Sequence, residues 1–298
     1  MKLQNLHTHT VFGDGECTPR RMTRSALAAG CGSLGFSEHS PLPPAIDTDG
    51  WTMAPEELAA YQAEVRYLQR RLQGRLEVFL GLEQDYDSPP PDGDYDYLIG
   101  SVHGVEREGV PVSVDESAES FAASVAESFG GDGLAIALAY YERAGQIAER
   151  TGCQIVGHFD LVTKFNQGGR FFDEEDPRYV RAALEALEAN MDKDVIFEIN
   201  TGAVARGYRT LPYPAPFLLR AIREKGGRVC ITSDSHSAHA ILHSFPLAAQ
   251  LALECGFRET WVLTRTGFQA VGLEEFLAAA RQAEGTRHWY QRLGKKEH

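Results

Sequence analysis

The chain has 298 residues, 43% of them hydrophobic and 24% charged, with a formal net charge of −13. That acidity argues against a broad electrostatic footprint for nucleic acid, and no apolar run reaches the ~18 residues a membrane helix needs. The amino-terminal residues lack the apolar core of a signal peptide, and the five cysteines are scattered with no C-x-x-C, so the chain reads as a cytoplasmic protein with reduced thiols.

Taken in chain order, short apolar runs expected to be strands are "KLQNLHTH", "SLGFSEH", "LEVFLGLE", "YDYLIGSVH", "QIVGHFD", "DVIFEIN", "RVCITSDSH" and "TWVLT". Between them lie segments with apolar residues at helical spacing. "TPRRMTRSALAAG" has Thr18 as N-cap, Pro19 at the first helical position and Gly30 as the stop. "APEELAAYQAEVRYLQRRLQG", "LAIALAYYERAGQIAERTG", "DPRYVRAALEALEAN" and "PAPFLLRAIREKGG" are further expected helices. The βα alternation, seven or eight times over, predicts an α/β parallel barrel in one domain over residues 1–285, with a basic tail at 286–298. The stretch "VEREGVPVSVDESAESFAAS" reads as a loop that either covers the substrate or decorates the rim.

In a parallel barrel the catalytic residues gather at the carboxyl ends of the strands. Six of the expected strand ends carry metal-capable side chains: His7 and His9, His39, Glu83, His103, His158, and Asp234 with His236. In the first strand His7 and His9 are two residues apart and point to the same face. Crowded imidazoles in an apolar mouth repel when protonated and gain nothing from burial, a conflict that a cation resolves. Eight donors exceed what one zinc needs, so they suit two or three divalent ions sharing a bridging carboxylate, with Glu83 the natural bridge. Asp14, in the turn "FGDGE", can complete a further site with His39 and His236, although Gly-Asp-Gly is also ordinary turn sequence. Glu16 and Glu38 read as solvated or supporting residues. Imidazole mixed with carboxylate suits zinc, manganese or iron.

With these residues in hand, the chain resembles the polymerase-and-histidinol-phosphatase (PHP) superfamily. The matching pieces are "HTHTVFGDG", "GFSEHSP", "GLEQDY", "GSVHG", "GHFDLVTKF" and "TSDSH", in the family's order. Within the superfamily, "GFSEHSPLP" and "GHFDLVTKFN" are most similar to the stand-alone histidinol-phosphate phosphatases. The resemblance implies a distorted barrel of about seven strands around a trinuclear metal centre. It implies that His7, His9, Glu83 and Asp234 bind one metal, that Glu83, His103 and His158 bind a second, and that Asp14, His39 and His236 bind a third.

The function so implied is metal-dependent hydrolysis of L-histidinol phosphate, a small phosphate monoester, with Glu83, Asp234 and His236 as catalytic residues. Arg206 and Lys164 are the expected phosphate-binding cations, with Arg170 and Arg209 behind them. Glu198, Asn200, Asp160 and Tyr208 are candidates for the pocket that holds the imidazole and amino group, and His239 or a water for the proton of the leaving alkoxide. An amidohydrolase-like C–N hydrolase also opens with His-x-His on a first barrel strand, and a metal count separates the two. A PHP phosphoesterase acting on another phosphomonoester is a further alternative. A nuclease is disfavoured by the chain's acidity, and a closed structural metal site by the position of the donors at an open mouth. Neither a nucleic-acid partner nor a membrane is expected, and the residues specify no oligomeric state.

Overall fold

The structure is a computed structural model that describes residues 2–46 and 50–294, with side chains to residue 285. The first half runs β1 (Leu3–Asn5), α1 (Pro19–Ala28), β2 (Cys31–Phe36), α2 (Leu58–Arg71), β3 (Glu77–Asp85), β4 (Tyr97–Ser101), β5 (Gly104–Arg107), β6 (Val110–Ser113), α3 (Ala118–Ser128), α4 (Gly133–Ala144) and α5 (Ile147–Thr151). The second half runs β7 (Ile155–Val156), α6 (Pro177–Met191), β8 (Ile196–Asn200), α7 (Gly202–Ala205), α8 (Pro216–Glu224), β9 (Arg228–Thr232), α9 (Phe245–Glu254), β10 (Glu259–Thr264), β11 (Gly267–Gly272) and α10 (Leu273–Gly294).

Seven strands pair in parallel in the order β1-β2-β3-β4-β7-β8-β9. The sheet curls until its ends meet. A parallel bridge joins Thr8 to Ser235, with His9 N donating to Ser235 O at 2.9 Å and Ser235 N to His7 O at 3.1 Å. Below that bridge, the Asn5 amide donates to Ser233 Oγ at 2.8 Å and accepts from Ser233 N at 3.1 Å. The result is a nearly closed barrel with its mouth at the strands' carboxyl ends, as a parallel sheet of seven strands requires.

The helices form where the sequence places their signals. Thr18 caps α1 by accepting from Arg21 N, Asp176 caps α6 through Arg178 N, and α1, α6, α8 and α9 all carry proline in their first two positions. "LAIALAYYERAGQIAERTG" differs from expectation: it breaks at Gly145 into α4 and α5. The helices' apolar faces pack on the outside of the sheet. The barrel interior holds a separate cluster of Leu6, Phe79, Tyr97, Ile99, Ile155, Ile196 and Cys230.

The run "TWVLT" is not an eighth barrel strand. It forms β10, which pairs antiparallel with β11. Only two residues separate them, and a connection so short makes a hairpin, whereas a parallel neighbour needs a long crossover. The hairpin closes the barrel floor. Leu263 joins the interior cluster, and the Gln4 side chain donates to Leu263 O at 2.8 Å and accepts from Leu263 N at 2.7 Å.

The stretch read as a rim loop is ordered too. Glu108 and Gly109, at φ 53° and 80°, form the left-handed turn of the β5–β6 hairpin, and α3 follows. The expected tail at 286–298 lies outside the described residues, apart from the helical backbone to Gly294. Among the described residues no helix is long and apolar enough to cross a membrane.

Candidate metal centre

The donors stand at the strands' carboxyl ends because each apolar run turns polar where it leaves the sheet. His7 and His9 follow β1, His39 follows β2, Glu83 lies near the end of β3, and His103, His158 and Asp234 each follow the ends of β4, β7 and β9. Asp14 comes from the turn after His9. A Cβ at Gly15 would fall 2.4 Å from Thr10 N and 2.6 Å from His9 O. Glycine there lets the turn fold back onto the strand end and bring Asp14 beside His236. Asp234 sits at φ 47°, a left-handed conformation uncommon outside glycine and found at functional sites.

Glu83, fully buried, is the centre of the cluster. Its Oε2 lies 3.2 Å from His7 Nε2, 3.5 Å from His9 Nε2 and 2.8 Å from His39 Nδ1. Its Oε1 lies 2.9 Å from His158 Nε2 and 3.5 Å from His103 Nε2. Asp234 Oδ1 is 3.3 Å from His9 Nε2, and Asp14 Oδ2 is 3.1 Å from His236 Nε2. Among the described residues these atoms fall into four overlapping groups: His7–His9–Asp234, His7–Glu83–His158, His39–Glu83–His103 and His9–Asp14–His39–His236. All eight strand-end donors and Asp14 are therefore brought together. The grouping departs from the family pattern at three points: His39 sits beside Glu83, His9 joins the Asp14 group, and His103 and His158 fall into separate groups around Glu83.

His158 Nε2 bonds Glu83 Oε1 at 2.9 Å, but several of the other donor atoms converge without a partner. His7 Nε2, both nitrogens of His9, His39 Nδ1 and Glu83 Oε2 are buried with no hydrogen-bond partner. Buried polar atoms are almost always satisfied, so five orphans aimed at shared space fit divalent cations, which imidazole and carboxylate bind well.

The protonation pattern has the same cause. Burial works against charge on Glu83, but His7, His39 and His103 overcome it and hold the carboxyl well below its usual range. Burial likewise opposes charge on His7, yet Glu198, Glu83 and Asp234 raise it well above the ordinary imidazole value. His9 goes the other way. Burial, then the flanking His236 and His39 rings, both stacked at 4.3 Å, hold it down to about 3.

Two carboxylates that the sequence reading did not assign to this role orient the ring donors. Glu198 accepts from His7 Nδ1 at 2.6 Å, from His158 N at 2.8 Å and from Thr232 Oγ1 at 2.6 Å. Asp85, two residues beyond Glu83 on the same strand face, meets His103 Nδ1 at 2.9 Å. Each turns the opposite ring nitrogen toward the centre. Glu198→Gln is expected to lower metal affinity about 10- to 100-fold, measured by competition titration against a chelating dye. An unchanged affinity would remove Glu198 from that role.

Above the cluster opens a cavity of about 410 Å³, lined in part by Asp14, His39, His103, His158, Asp234 and His236. Arg206 and Lys164 are on its wall. Arg206 Nη2 donates to Asp234 Oδ2 at 3.1 Å, with 32% of the side chain exposed. A Cβ at Gly202 would fall 2.9 Å from Asp234 Oδ2 and 3.0 Å from Arg206 Nη2, so this glycine leaves room for the pair. Lys164 Nζ donates to Asp115 O at 2.6 Å.

Other candidates fall elsewhere. Glu198 and Asn200 are buried beneath the donors, with Asn200 Nδ2 donating to Glu198 at 2.9 Å. Asp160 is buried, and its carboxyl is pushed up by that burial to about 7. These three are outside the cavity wall because alternation on the inner sheet face and the turn after β7 direct them inward. Arg209 is engaged by Glu174 at 2.8 Å, and Arg170 stacks on Phe171. Tyr208 is exposed beside Lys164, while His239 meets Ser237 Oγ at 3.3 Å and does not line the cavity. Glu16 is exposed, and Glu38 is buried against Thr10 Oγ1 at 2.6 Å.

Comparison with known proteins agrees with this architecture. The model of the PHP domain family matches residues 5–202. The chain is 31% identical over 261 residues to the "Probable histidinol-phosphatase" of Deinococcus radiodurans, covering 85% of this chain and 93% of that one. It is 28% identical over 268 residues to the histidinol-phosphatase of Bacillus subtilis, covering 82% and 97%. Among solved structures, the histidinol phosphate phosphatase of Lactococcus lactis, complexed with zinc, L-histidinol and phosphate, superposes with a TM-score of 0.63 at 22% identity, covering 90% of this chain and 99% of that one. A nearly closed seven-stranded parallel barrel with its donors at the mouth, and a family match over most of its length, make this chain a member of the PHP domain family.

Proposed function

We propose that the chain is a histidinol-phosphatase, hydrolysing L-histidinol phosphate to L-histidinol and phosphate in histidine biosynthesis. One observation carries the reading. Strand-end imidazoles and carboxylates converge on Glu83 at the floor of a cavity whose wall holds two cations, in a chain whose relatives bear that name in separate organisms. The zinc, L-histidinol and phosphate bound by the Lactococcus protein are a metal, a leaving alcohol and an anion that such a site would accommodate.

In this reading His7, His9, Asp14, His39, Glu83, His103, His158, Asp234 and His236 hold two or three divalent ions, zinc, manganese or iron. Bound there, such ions activate water for attack and neutralise charge on the phosphoryl group. Glu83, whose two oxygens face different histidines, would be placed to hold more than one ion. Asp234 and His236 complete the catalytic set at the cavity floor, where Asp234 also fixes Arg206. The N–H groups that Arg206 does not spend on Asp234 and His236 remain for the phosphoryl oxygens, and its planar fork matches them. Lys164, held by Asp115, adds a point charge from the cavity wall. Together with the metals these cations make the mouth locally positive in a chain of net charge −13.

The test is phosphate release from L-histidinol phosphate by manganese- or zinc-loaded protein, beside a panel of other phosphomonoesters. Rapid release centred on histidinol phosphate is expected, and no release from any ester with metal bound overturns the reading. Arg206→Ala should lower kcat/KM roughly 10- to 150-fold, the worth of a charge-assisted hydrogen bond of about 1.5–3 kcal/mol. An unchanged kcat/KM in that variant would detach Arg206 from the phosphate.

A further inference from the structure

The walls around the mouth differ in charge. The cavity above the donors carries both signs, with Arg206 and Lys164 beside Asp14, Asp115, Glu116 and Asp234. A second cleft of about 490 Å³ adjoins it between the β5–β6 hairpin, α3 and the side chains of Leu42, Ile46 and Trp51. Among the described residues its wall carries Asp85, Asp87, Glu116 and Glu127 and no lysine or arginine. Trp51, His103, Ser113 and Glu116 line both spaces and so form the doorway between them.

Two of the four carboxylates are already engaged, Asp85 with His103 at 2.9 Å and Asp87 with Arg143 at 2.5 Å. Glu116 is different. It is exposed, stands in the doorway, and accepts a hydrogen bond from the Ser120 hydroxyl at 2.8 Å, which fixes its carboxylate without neutralising it. Trp51 is held edge-on to the His39 and His103 rings, at 4.8 and 5.3 Å between centroids. An indole fixed in this way offers a π surface to a cation.

A phosphate ester held by its phosphoryl group at the donor cluster, beside Arg206 and Lys164, therefore directs its leaving group past Trp51 toward the acidic cleft. We propose that the Trp51–Glu116 doorway is the specificity element of this site, selecting phosphomonoesters whose leaving group bears a positive charge. Glu116 receives the ammonium or imidazolium, and Trp51 covers it. The inference deepens the histidinol-phosphatase reading and rests on it for the identity of the ester. It also gives a role to the hairpin–helix insertion between β4 and α4, which delivers Glu116.

The experiment reads binding as well as turnover. L-Histidinol is titrated calorimetrically onto metal-loaded protein in saturating inorganic phosphate, for wild type, Glu116→Gln and Trp51→Leu. In parallel, kcat/KM is compared for L-histidinol phosphate and glycerol 2-phosphate, whose leaving group is uncharged. Glu116→Gln should weaken L-histidinol binding about ten-fold or more, the worth of a charge-assisted contact, and shrink the kcat/KM ratio of the two esters by a similar factor. Trp51→Leu should do so more mildly. Glu116→Lys should bring the ratio down further, since it places a like charge in the doorway. Equal L-histidinol affinity in wild type and Glu116→Gln, or no binding to wild type, overturns the proposal. Failure of wild type to release phosphate from either ester removes the hydrolase reading instead, while the titration still decides the doorway.

Discussion

Glu83→Gln should lower phosphate release about 1,000-fold or more and reduce the metal retained after dialysis. The carboxylate faces five imidazoles through two oxygens, at 2.8 to 3.5 Å. Glutamine fills the same volume but removes the negative charge and puts an amide N–H₂ where one oxygen now meets ring nitrogens. Both effects repel cations from the shared space. Several kcal/mol of transition-state charge stabilisation depend on the bound ions, and ~4 kcal/mol is a factor of about 1,000 in rate. Glu83→Asp, which keeps the charge and shortens the reach, should fall between the two. Metal content by mass spectrometry and an unchanged far-ultraviolet circular dichroism spectrum separate loss of metal from loss of fold. Full metal content with full activity in Glu83→Gln would contradict the bridging role.

Removal of metal has the second largest expected effect. Dialysis against a chelator should abolish turnover and lower the melting temperature by roughly 10 °C, because ligand at 1,000 times its Kd contributes ~4 kcal/mol to the folded state of a chain this size. Restoring the ion should release protons. In the metal-free protein His7 and His103 are raised well above the ordinary imidazole value, against burial, by Glu198 and Glu83 for His7 and by Glu83 and Asp85 for His103. That direction favours the imidazolium form of both rings, whose protons would supply part of the positive charge that the cations replace. Ions that displace protons bind more tightly as pH rises. Metal affinity should accordingly increase from pH 6.5 to 8, measured by competition titration with proton release followed by an indicator. An affinity that does not change over that range, with no proton released, would mean the two imidazoles are neutral before the metal arrives.

The legible part of this protein was its repeated local pattern. An apolar run of a few residues, a turn to histidine, aspartate or glutamate, and then a helical stretch can be recognised wherever they occur, since strand and helix signals span few residues. That pattern placed β1, β2, β3, β4, β7, β8 and β9 and the donors at their ends, because in a parallel sheet every strand delivers its carboxyl end to the same side. It misplaced "TWVLT" because an apolar run looks the same whether it joins a barrel or a hairpin beneath it. The partner, β11, is a weaker strand pattern with glycine at both ends.

Residue identity, then, was enough to pick out the side chains that gather at the mouth. What surrounds them was decided by closure of the barrel. Glu198 and His7 are 191 positions apart in sequence and 2.6 Å apart in space, and Glu198 looked like a pocket residue until the strands on either side of it were in register. Trp51, Asp115 and Glu116 carry no local signal at all, since their meaning comes from which wall of which cavity they line. Local sequence sets backbone conformation and the polarity of a strand end through forces acting over a few residues. The distance across a barrel mouth depends on strand number, twist and the order of pairing, which belong to the whole chain and appear only when its ends meet at Thr8 and Ser235.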